Sequence, residues 1–490
     1  MSTYLFYDLE TTGLNCAFDQ VLQFAAIRTD HAFHEIARHE IMVKLRPDVI
    51  PSPGAMIAHG ISITKSMSGI LEYEAMKQIH GLLNTPDTIS VGYNTLGFDD
   101  EFLRFSFHRN LLPPYTHQYA NNCGRMDLLP IITIYWLYKK DVLVWPEVDE
   151  KVSLKLEHLN EANSLIDGMA HDAEMDVEVC VELARKLARE QEMWNYLTDY
   201  FYKNQDMNRL KKLPGISDSL PAVYKLGLLI STTLGSKQNY QVPVLFLGHS
   251  IPYDNQSLWL RLDLPNLRTT TIASIPEQTW VIRKKYGEPG IILPPYERFL
   301  AKIDFERCQN MTENKKWLEE NPELLEKISR YYREYAYPEI PNVDADAMLY
   351  KMDFLSNKDQ ELCLCFHKAP LSKKVQMCDH FTSPVLRELS RRVIFRNYAD
   401  QLLPVLKRDF NNYMDRVNPS SSDLTILDYK GKKRTTPASA LHEIKKLKAD
   451  PKTVDTQQID LLNDLENYIK DTFIIPEINM DNLLTNARSQ

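Results

Sequence analysis

Apolar and polar positions alternate between two periods along the N-terminal part of the chain. Tyr4-Leu5-Phe6-Tyr7 is a strand-like run that ends at Asp8-Leu9-Glu10 and the turn Thr11-Thr12-Gly13. Val21 to Thr29 and Glu40 to Leu45 read as two more strands around a polar turn at Asp30 to His34, which together predict an antiparallel meander. Tyr73 to Leu83 has helical spacing, and Thr88 to Asn94 returns to a short buried strand. A helix carrying Phe102, Arg104, Phe105, Phe107, His108 and Arg109 follows, and Arg125-Met126-Asp127 opens a long apolar helix to about Lys139 with Asp127 as its N-cap. Leu154 to Leu159 reads as a short helix, and Val177 to about Glu190 as a longer one capped by Asp172. Strands alternating with helices predict an α/β fold.

Farther on the pattern changes. Tyr224 to Ser231, Val242 to Leu247, Leu258 to Leu264 and Trp280 to Lys284 are short strand-like runs divided by Gly, Pro, Asn and Asp, which predicts a small β-domain. From Met348 onward the spacing is helical, and Arg387, Arg391, Arg392 and Arg396 recur so as to form one basic face, with Lys430 to Arg434 as a second basic patch. A chain of 490 residues exceeds one core of ordinary size, so two or three domains are expected.

Composition adds mainly exclusions. With 44% hydrophobic and 25% charged residues the chain is globular, and neither an apolar signal core nor a run able to span a bilayer is present, so no membrane partner and a cytoplasmic location are expected. The seven cysteines show no C-x-x-C spacing and read as reduced thiols, with Cys363 and Cys365 alternating like strand positions. A net charge of -9 does not exclude a polyanionic partner, because a phosphate backbone responds to local basic patches and bound cations offset an acidic site.

The chemistry lies in three short motifs. Strand side chains alternate faces, so Asp8 and Glu10 project together; no cation is near in sequence, and this stretch alone reads equally as a pair neutralised by a divalent metal or as an exposed acidic strand end. Asn94 to Asp99 forms N-x-x-x-F-D at the C-terminal end of a strand, where sites form in α/β sheets. His171 and Asp176 form H-x-x-x-x-D; five residues turn a helix by about 140°, so both reach one site only if His171 lies at or before the helix N-terminus.

D-x-E-T-T-G, N-x-x-x-F-D and H-x-x-x-x-D, in this order within one domain-sized span, resemble the DEDDh exonuclease superfamily. The length beyond residue 190, with Gly92-Tyr93-Asn94, Leu156-Glu157-His158-Leu159, Ala170-His171-Asp172-Ala173 and Asn342-Val343-Asp344-Ala345, makes the whole chain similar to the bacterial exonuclease I family. Leu9 and Thr12 depart from that family's preference for aromatics there.

The resemblance implies a ribonuclease-H-like exonuclease domain at 1–190, an SH3-like β-domain at 192–346 and an all-helical C-terminal domain at 348–490 that closes a channel over single-stranded DNA. It implies that Asp8, Glu10, Asp99 and Asp176 bind two Mg²⁺ ions, with Mn²⁺ as a substitute, and that His171 is the general base. The expected reaction is processive 3′-to-5′ hydrolysis of single-stranded DNA to 5′-mononucleotides by a monomer in DNA repair or recombination, with the C-terminal tail of single-strand DNA-binding protein as a further partner. Glu10, Arg104, Tyr115, Tyr119, Leu154 and Lys155 are the candidates for holding the terminal nucleotides. The motifs alone leave open a DEDDh ribonuclease acting on RNA 3′ ends, since discrimination rests on 2′-OH contacts, and a non-catalytic single-strand binding module.

Overall fold

Residues Tyr4 to Tyr7 lie within β1 (Thr3–Thr11), the middle strand of a five-stranded sheet. The structure, a computed structural model, describes residues 2–167, 173–216, 220–221, 223–402, 404–419, 425–449 and 454–473. With β2 (Val21–Thr29), β3 (Glu35–Met42), β4 (Thr88–Gly92) and β5 (Gly124–Asp127), the strand order is β3-β2-β1-β4-β5. β1, β2 and β3 pair antiparallel, as the meander predicts, while β4 and β5 add in parallel. The third strand begins and ends earlier than its hydrophobic pattern indicates, because its N-terminal half lies exposed at the sheet edge.

Period-two alternation assigns the two faces of β1. Tyr4 and Phe6 pack with Ala25, Ile27 and Val91 against α5 (Leu128–Tyr138) and α7 (Ala173–Leu187). Leu5, Tyr7 and Leu9 pack on the opposite face with α3 (Glu72–Leu83) and α4 (Asp99–Arg109). Two short helices, α1 (Pro53–His59) and α2 (Ile63–Met67), precede α3; a hairpin of β6 (Glu147–Val148) and β7 (Lys151–Val152) leads to α6 (Leu156–Asn163). Arg125-Met126-Asp127 belongs to β5 rather than to the helix, which starts at Leu128 with Asp127 as its cap, accepting the Leu129 N–H at 3.0 Å.

A second sheet, all antiparallel, has the order β11-β10-β9-β8-β12. Its strands are β8 (Leu226–Ile230), β9 (Gln241–His249), β10 (Gln256–Arg261), β11 (Val281–Lys285) and β12 (Ile291–Leu293). The helices Phe305–Glu320 and Pro322–Glu334 cover it, packing Leu318, Leu325 and Ile328 on Leu245, Leu247, Leu258 and Leu260. The basic run of β11 is not uniformly outward: Lys284 is buried and pairs with Asp206 at 2.8 Å.

From Ala345 onward the chain is helical among the described residues, apart from its connecting segments. Cys363 and Cys365 lie on the helix Asn357–Lys368 and not on a strand; an i,i+2 pair of apolar residues inside so polar a segment places one inside and one outside, Cys363 buried and Cys365 exposed. All seven cysteines are unpaired. Among the described residues no helix is long and apolar enough to cross a membrane.

The last described helices complete a core begun near the start of the chain. Tyr413, Val417, Ala440, Ile444, Leu462, Leu465 and Ile469 pack against Leu22, Leu45, Val49, Ile50 and Met56. Inside this junction Asp48 accepts from Arg46 at 3.1 Å, Arg396 at 2.9 Å, Arg434 at 3.2 Å and the Tyr413 hydroxyl at 2.8 Å. Arg396 also meets Asp346 at 2.6 Å, and Arg392 bridges Asp344 and Asp346. The expected basic face on Arg387, Arg391, Arg392 and Arg396 is therefore corrected: Arg392 and Arg396 are buried counterions. Arg391 remains part-exposed beside Asp379 at 2.7 Å, and Arg387 donates to the Phe381 carbonyl. Arg434, at the end of the second basic patch, is likewise buried.

Burial alone would push the Asp48 carboxyl up, but Arg396, Arg46 and Arg434 hold it well below the usual carboxylate range. Asp48→Asn leaves buried guanidinium charge uncompensated and should cost about 3–5 kcal/mol at pH 7. A carboxyl whose folded pKa is depressed stabilises fully above its unfolded value and loses that contribution as pH falls through the folded one. Urea titration should thus show the wild-type advantage shrinking below about pH 4; equal stability at pH 7 would contradict the assignment.

Candidate active site

Asp8 and Glu10 sit at the C-terminal end of β1, opposite Ala25 and Gln23 of β2, with a register shift immediately after Glu10. Being even-numbered, they share the face of Tyr4 and Phe6, which is the face that α7 covers. Asp176 is in the first turn of α7. Asp99 begins α4, just beyond the C-terminal end of the parallel neighbour β4. Four carboxylates from three separate segments thus converge at one edge of the sheet.

The loop that delivers Asp99 is tightly determined. A Cβ on Gly92 would lie 2.1 Å from the Thr95 side chain and 2.8 Å from the Tyr7 carbonyl, so only glycine lets the chain fold back beside β1. Asn94 adopts the left-handed conformation (φ 64°), which asparagine tolerates well. The Asp127 carboxylate, besides capping α5, accepts from the Asn94 N–H at 2.9 Å and the Leu96 N–H at 3.1 Å. Sequence spacing identifies the cap but gives no sign of this clamp. Asp127→Ala should lower stability by about 1–3 kcal/mol for each N–H left orphaned. It should also reduce kcat more than it raises KM, because Asp99 loses its support. Urea denaturation and turnover on an oligonucleotide check both; Asp127→Asn, which retains one acceptor oxygen, should recover part of each.

The electrostatics of the site are those of crowded anions. Burial, then the charges of Asp99, Glu10 and Asp176, push the Asp8 carboxyl well above its ordinary value, against one backbone hydrogen bond from Leu9. Burial followed by Asp127 and Glu10 pushes Asp99 up as well. Cys180, one turn beyond Asp176, feels the same field: burial and then Asp8 and Asp176 raise its thiol. Among the described residues no three His, Cys, Asp or Glu side chains form a closed metal-ligand set. The fit to a cation rests instead on the donors, hard carboxylate oxygens whose repulsion a divalent ion would relieve. His171 and its capping neighbour Asp172 lie outside the described residues.

A cleft of about 380 Å³ opens beside Asp176, walled by Glu157, His158, Asn160, Asp167 and Met175. Of the candidate substrate contacts, Lys155 is largely exposed and meets Glu157 at 3.0 Å, and Leu154 is buried with its carbonyl accepting from the Tyr93 hydroxyl. Tyr119 is exposed, and Tyr115 is half-buried with its ring 5.6 Å from the Arg104 guanidinium. Arg104 is buried and pairs with Asp100 at 2.6 Å and Glu101 at 2.7 Å.

Asp100 also receives Arg125 at 2.5 Å and His117 at 2.8 Å, and Arg125 in turn meets Glu288 at 2.9 Å. Burial would raise the Asp100 carboxyl, but Arg125, Arg104 and His117 hold it far below the usual range. This network ties the start of the Asp99 helix to the second sheet. No sequence pattern announces Glu288, which lies 163 positions from Arg125.

Two family models match the chain, one described as Exonuclease over residues 5–184 and one as Exonuclease I C-terminal domain over residues 343–472. Exodeoxyribonuclease I of Escherichia coli (strain K12) is 30% identical over 377 residues, spanning 73% of this chain and 78% of that protein. The chain belongs to the exodeoxyribonuclease I family. As a member it is an exodeoxyribonuclease, and the exonuclease match spans all four carboxylates and His171. The family fold extends over nearly the whole chain. A crystal structure of E. coli exonuclease I in complex with a dA16 oligonucleotide aligns with TM-score 0.83 at 24% identity, covering 96% of this chain and 100% of that one. The zinc ion bound form of the E. coli enzyme's complex with single-stranded DNA aligns with TM-score 0.80 at 23% identity, covering 96% and 99%.

Proposed function

We propose that this exodeoxyribonuclease I degrades single-stranded DNA from its 3′ end and releases 5′-mononucleotides. The observation that carries the reading is the placement of Asp8 and Glu10 at the C-terminal end of β1, Asp99 at the start of α4 and Asp176 in the first turn of α7, where the charges of the other three crowd Asp8. Asp8, Glu10 and Asp176 would hold one divalent ion and Asp8 with Asp99 a second, Mg²⁺ or Mn²⁺ by the preference of oxygen-only ligands. When bound, such ions supply an activated water and charge stabilisation of the leaving oxygen. His171 would take the proton from the attacking water, and α7 holds Asp176 in its first turn. The Asp127 clamp and the Asp100 network keep Asp99 in place as the strand enters. Glu10, Tyr115, Tyr119, Leu154 and Lys155 border the path of the terminal nucleotides.

The same reading divides the chain into an exonuclease domain at 1–190, an SH3-like β-domain at 192–346 and a helical domain at 348–490, acting processively as a cytoplasmic monomer. The C-terminal tail of single-strand DNA-binding protein is the expected docking partner. The deciding experiment compares 3′-labelled and 5′-labelled single-stranded and duplex DNA, with Mg²⁺ and with chelator. Mononucleotides released first from the 3′ label, on single strands and only with metal, are expected; label released first from the 5′ end, or cleavage in chelator, would overturn the reading.

A further inference from the structure

The edge strand β11 carries a cluster that neither the hydrolysis nor the packing of the sheet uses. The Arg283 guanidinium lies over two tyrosine rings at once, 5.2 Å from that of Tyr335 and 5.5 Å from that of Tyr337. The two rings meet edge to face at 5.8 Å, and Tyr253 adds a third ring 5.1 Å from Tyr337. The backbone holds the group together: the Tyr337 N–H donates to the Tyr253 hydroxyl at 2.9 Å, and the Ile251 N–H to the Arg333 carbonyl at 2.8 Å.

Tyr335 is 38% exposed and Tyr337 50% exposed, on a segment without regular secondary structure that leads from the second sheet to the helical part. Among the described residues Arg283 has no carboxylate within ion-pair distance, its side-chain partner being the Gln256 amide oxygen at 3.4 Å. Glu334 is the acidic neighbour in sequence. Three clustered rings, two of them exposed, beside a cation without a counterion match a polymer of flat bases joined by phosphates. Tyrosine faces stack on any base, and a guanidinium binds phosphate in a fixed fork.

The cluster is also joined to the site. β11 continues through Tyr286 and the left-handed Gly287 to Glu288, the residue that pairs with Arg125 beside Asp100. Glu288 lies five positions after Arg283, so their Cα atoms lie within about 18 Å of each other even at full extension. We propose that Arg283, Tyr335 and Tyr337 form a stacking platform for bases of single-stranded DNA a few nucleotides upstream of the cleaved end. The proposal rests on the single-strand reading above and assigns that strand a path over the edge of the second sheet.

Binding of fluorescent oligothymidylates to the full chain in chelator, which prevents hydrolysis, tests it. One probe is long enough to reach the platform, and the other is a trinucleotide that is not. Tyr335→Ser with Tyr337→Ser should weaken the long probe by about 10- to 100-fold, the loss expected for one or two stacked bases. The trinucleotide should bind as to wild type, and Tyr335→Phe with Tyr337→Phe, which keeps the rings, should restore the long probe. Arg283→Gln should make the salt dependence shallower by about 0.7 in logarithmic slope. If the serine pair binds the long probe like wild type, the rings merely pin the connecting segment and the proposal fails. Equal losses on both probes would trace the effect to the site or the fold and overturn it as well. Wild-type protein that binds neither probe would sink the single-strand reading itself, a separate failure.

Discussion

Asp8→Ala should abolish hydrolysis and leave the protein folded. Asp8 is the residue shared by both proposed ion positions, and a bound divalent ion contributes several kcal/mol of transition-state stabilisation. Losing it should reduce turnover by at least about 10⁴-fold, which corresponds to roughly 5 kcal/mol. The stability change runs the other way. Burial and three neighbouring carboxylates push the Asp8 carboxyl up, which means that its charge is unfavourable in the folded protein without metal. Thermal unfolding in chelator should therefore occur at or above the wild-type midpoint. Asp176→Ala should be equally inactive, since it removes the ligand contributed by α7. Turnover of either variant near the wild-type rate in Mg²⁺ would remove that residue from the ligand set.

His171→Ala should be slower by roughly 10²- to 10⁴-fold, the range for a positioned general base, yet still bind divalent cations. Asp176 lies in the first turn of α7, whose described part begins at Ala173, two positions after His171 in sequence. With the base removed, the nucleophile must come from hydroxide in solvent. The variant's rate should accordingly rise with pH over a range in which the wild-type rate is flat. Single-turnover rates across pH, together with calorimetric Mn²⁺ binding, separate the roles. Loss of Mn²⁺ binding would recast His171 as a ligand or a support, and an absence of recovery at high pH would argue against proton abstraction.

What the sequence revealed of this site was local. Asp8 and Glu10 share a face because two positions on one strand must, and Val21 to Thr29 has the boundaries its pattern predicts. Asp127 as a cap was legible for the same reason. Gly124-Arg125-Met126-Asp127 was not legible as a strand, since it contains no β-branched residue and is held by its parallel partner β4. The misread arginines share one cause. Helical spacing places Arg392 and Arg396 on a common side, but whether that side meets solvent or acid depends on Asp48, Asp344 and Asp346, which no local pattern connects to them. The ion pair of Arg104 with Asp100, one turn earlier on its own helix, is by contrast an i,i+4 contact within reach of local spacing. Cys363 and Cys365 show the converse, a two-residue alternation too short to distinguish a strand from one turn of helix.

The core that joins Leu22 and Met56 to Leu462 and Ile469 also sets an order of events during synthesis. A growing chain that has passed Glu190 holds every carboxylate of the site, yet Asp48 still lacks Arg396 and Arg434, and the apolar face of α1 has no cover. At about 5–20 residues per second, the final helix follows on the order of tens of seconds later. During that interval the unfinished protein presents an uncovered apolar surface and a half-neutralised arginine–aspartate cluster, features that chaperones and proteases recognise. A chain cut off between Glu190 and Thr456 therefore carries the four carboxylates without the cover of α1 or the partners of Asp48, and it should be digested faster by a protease than the full chain.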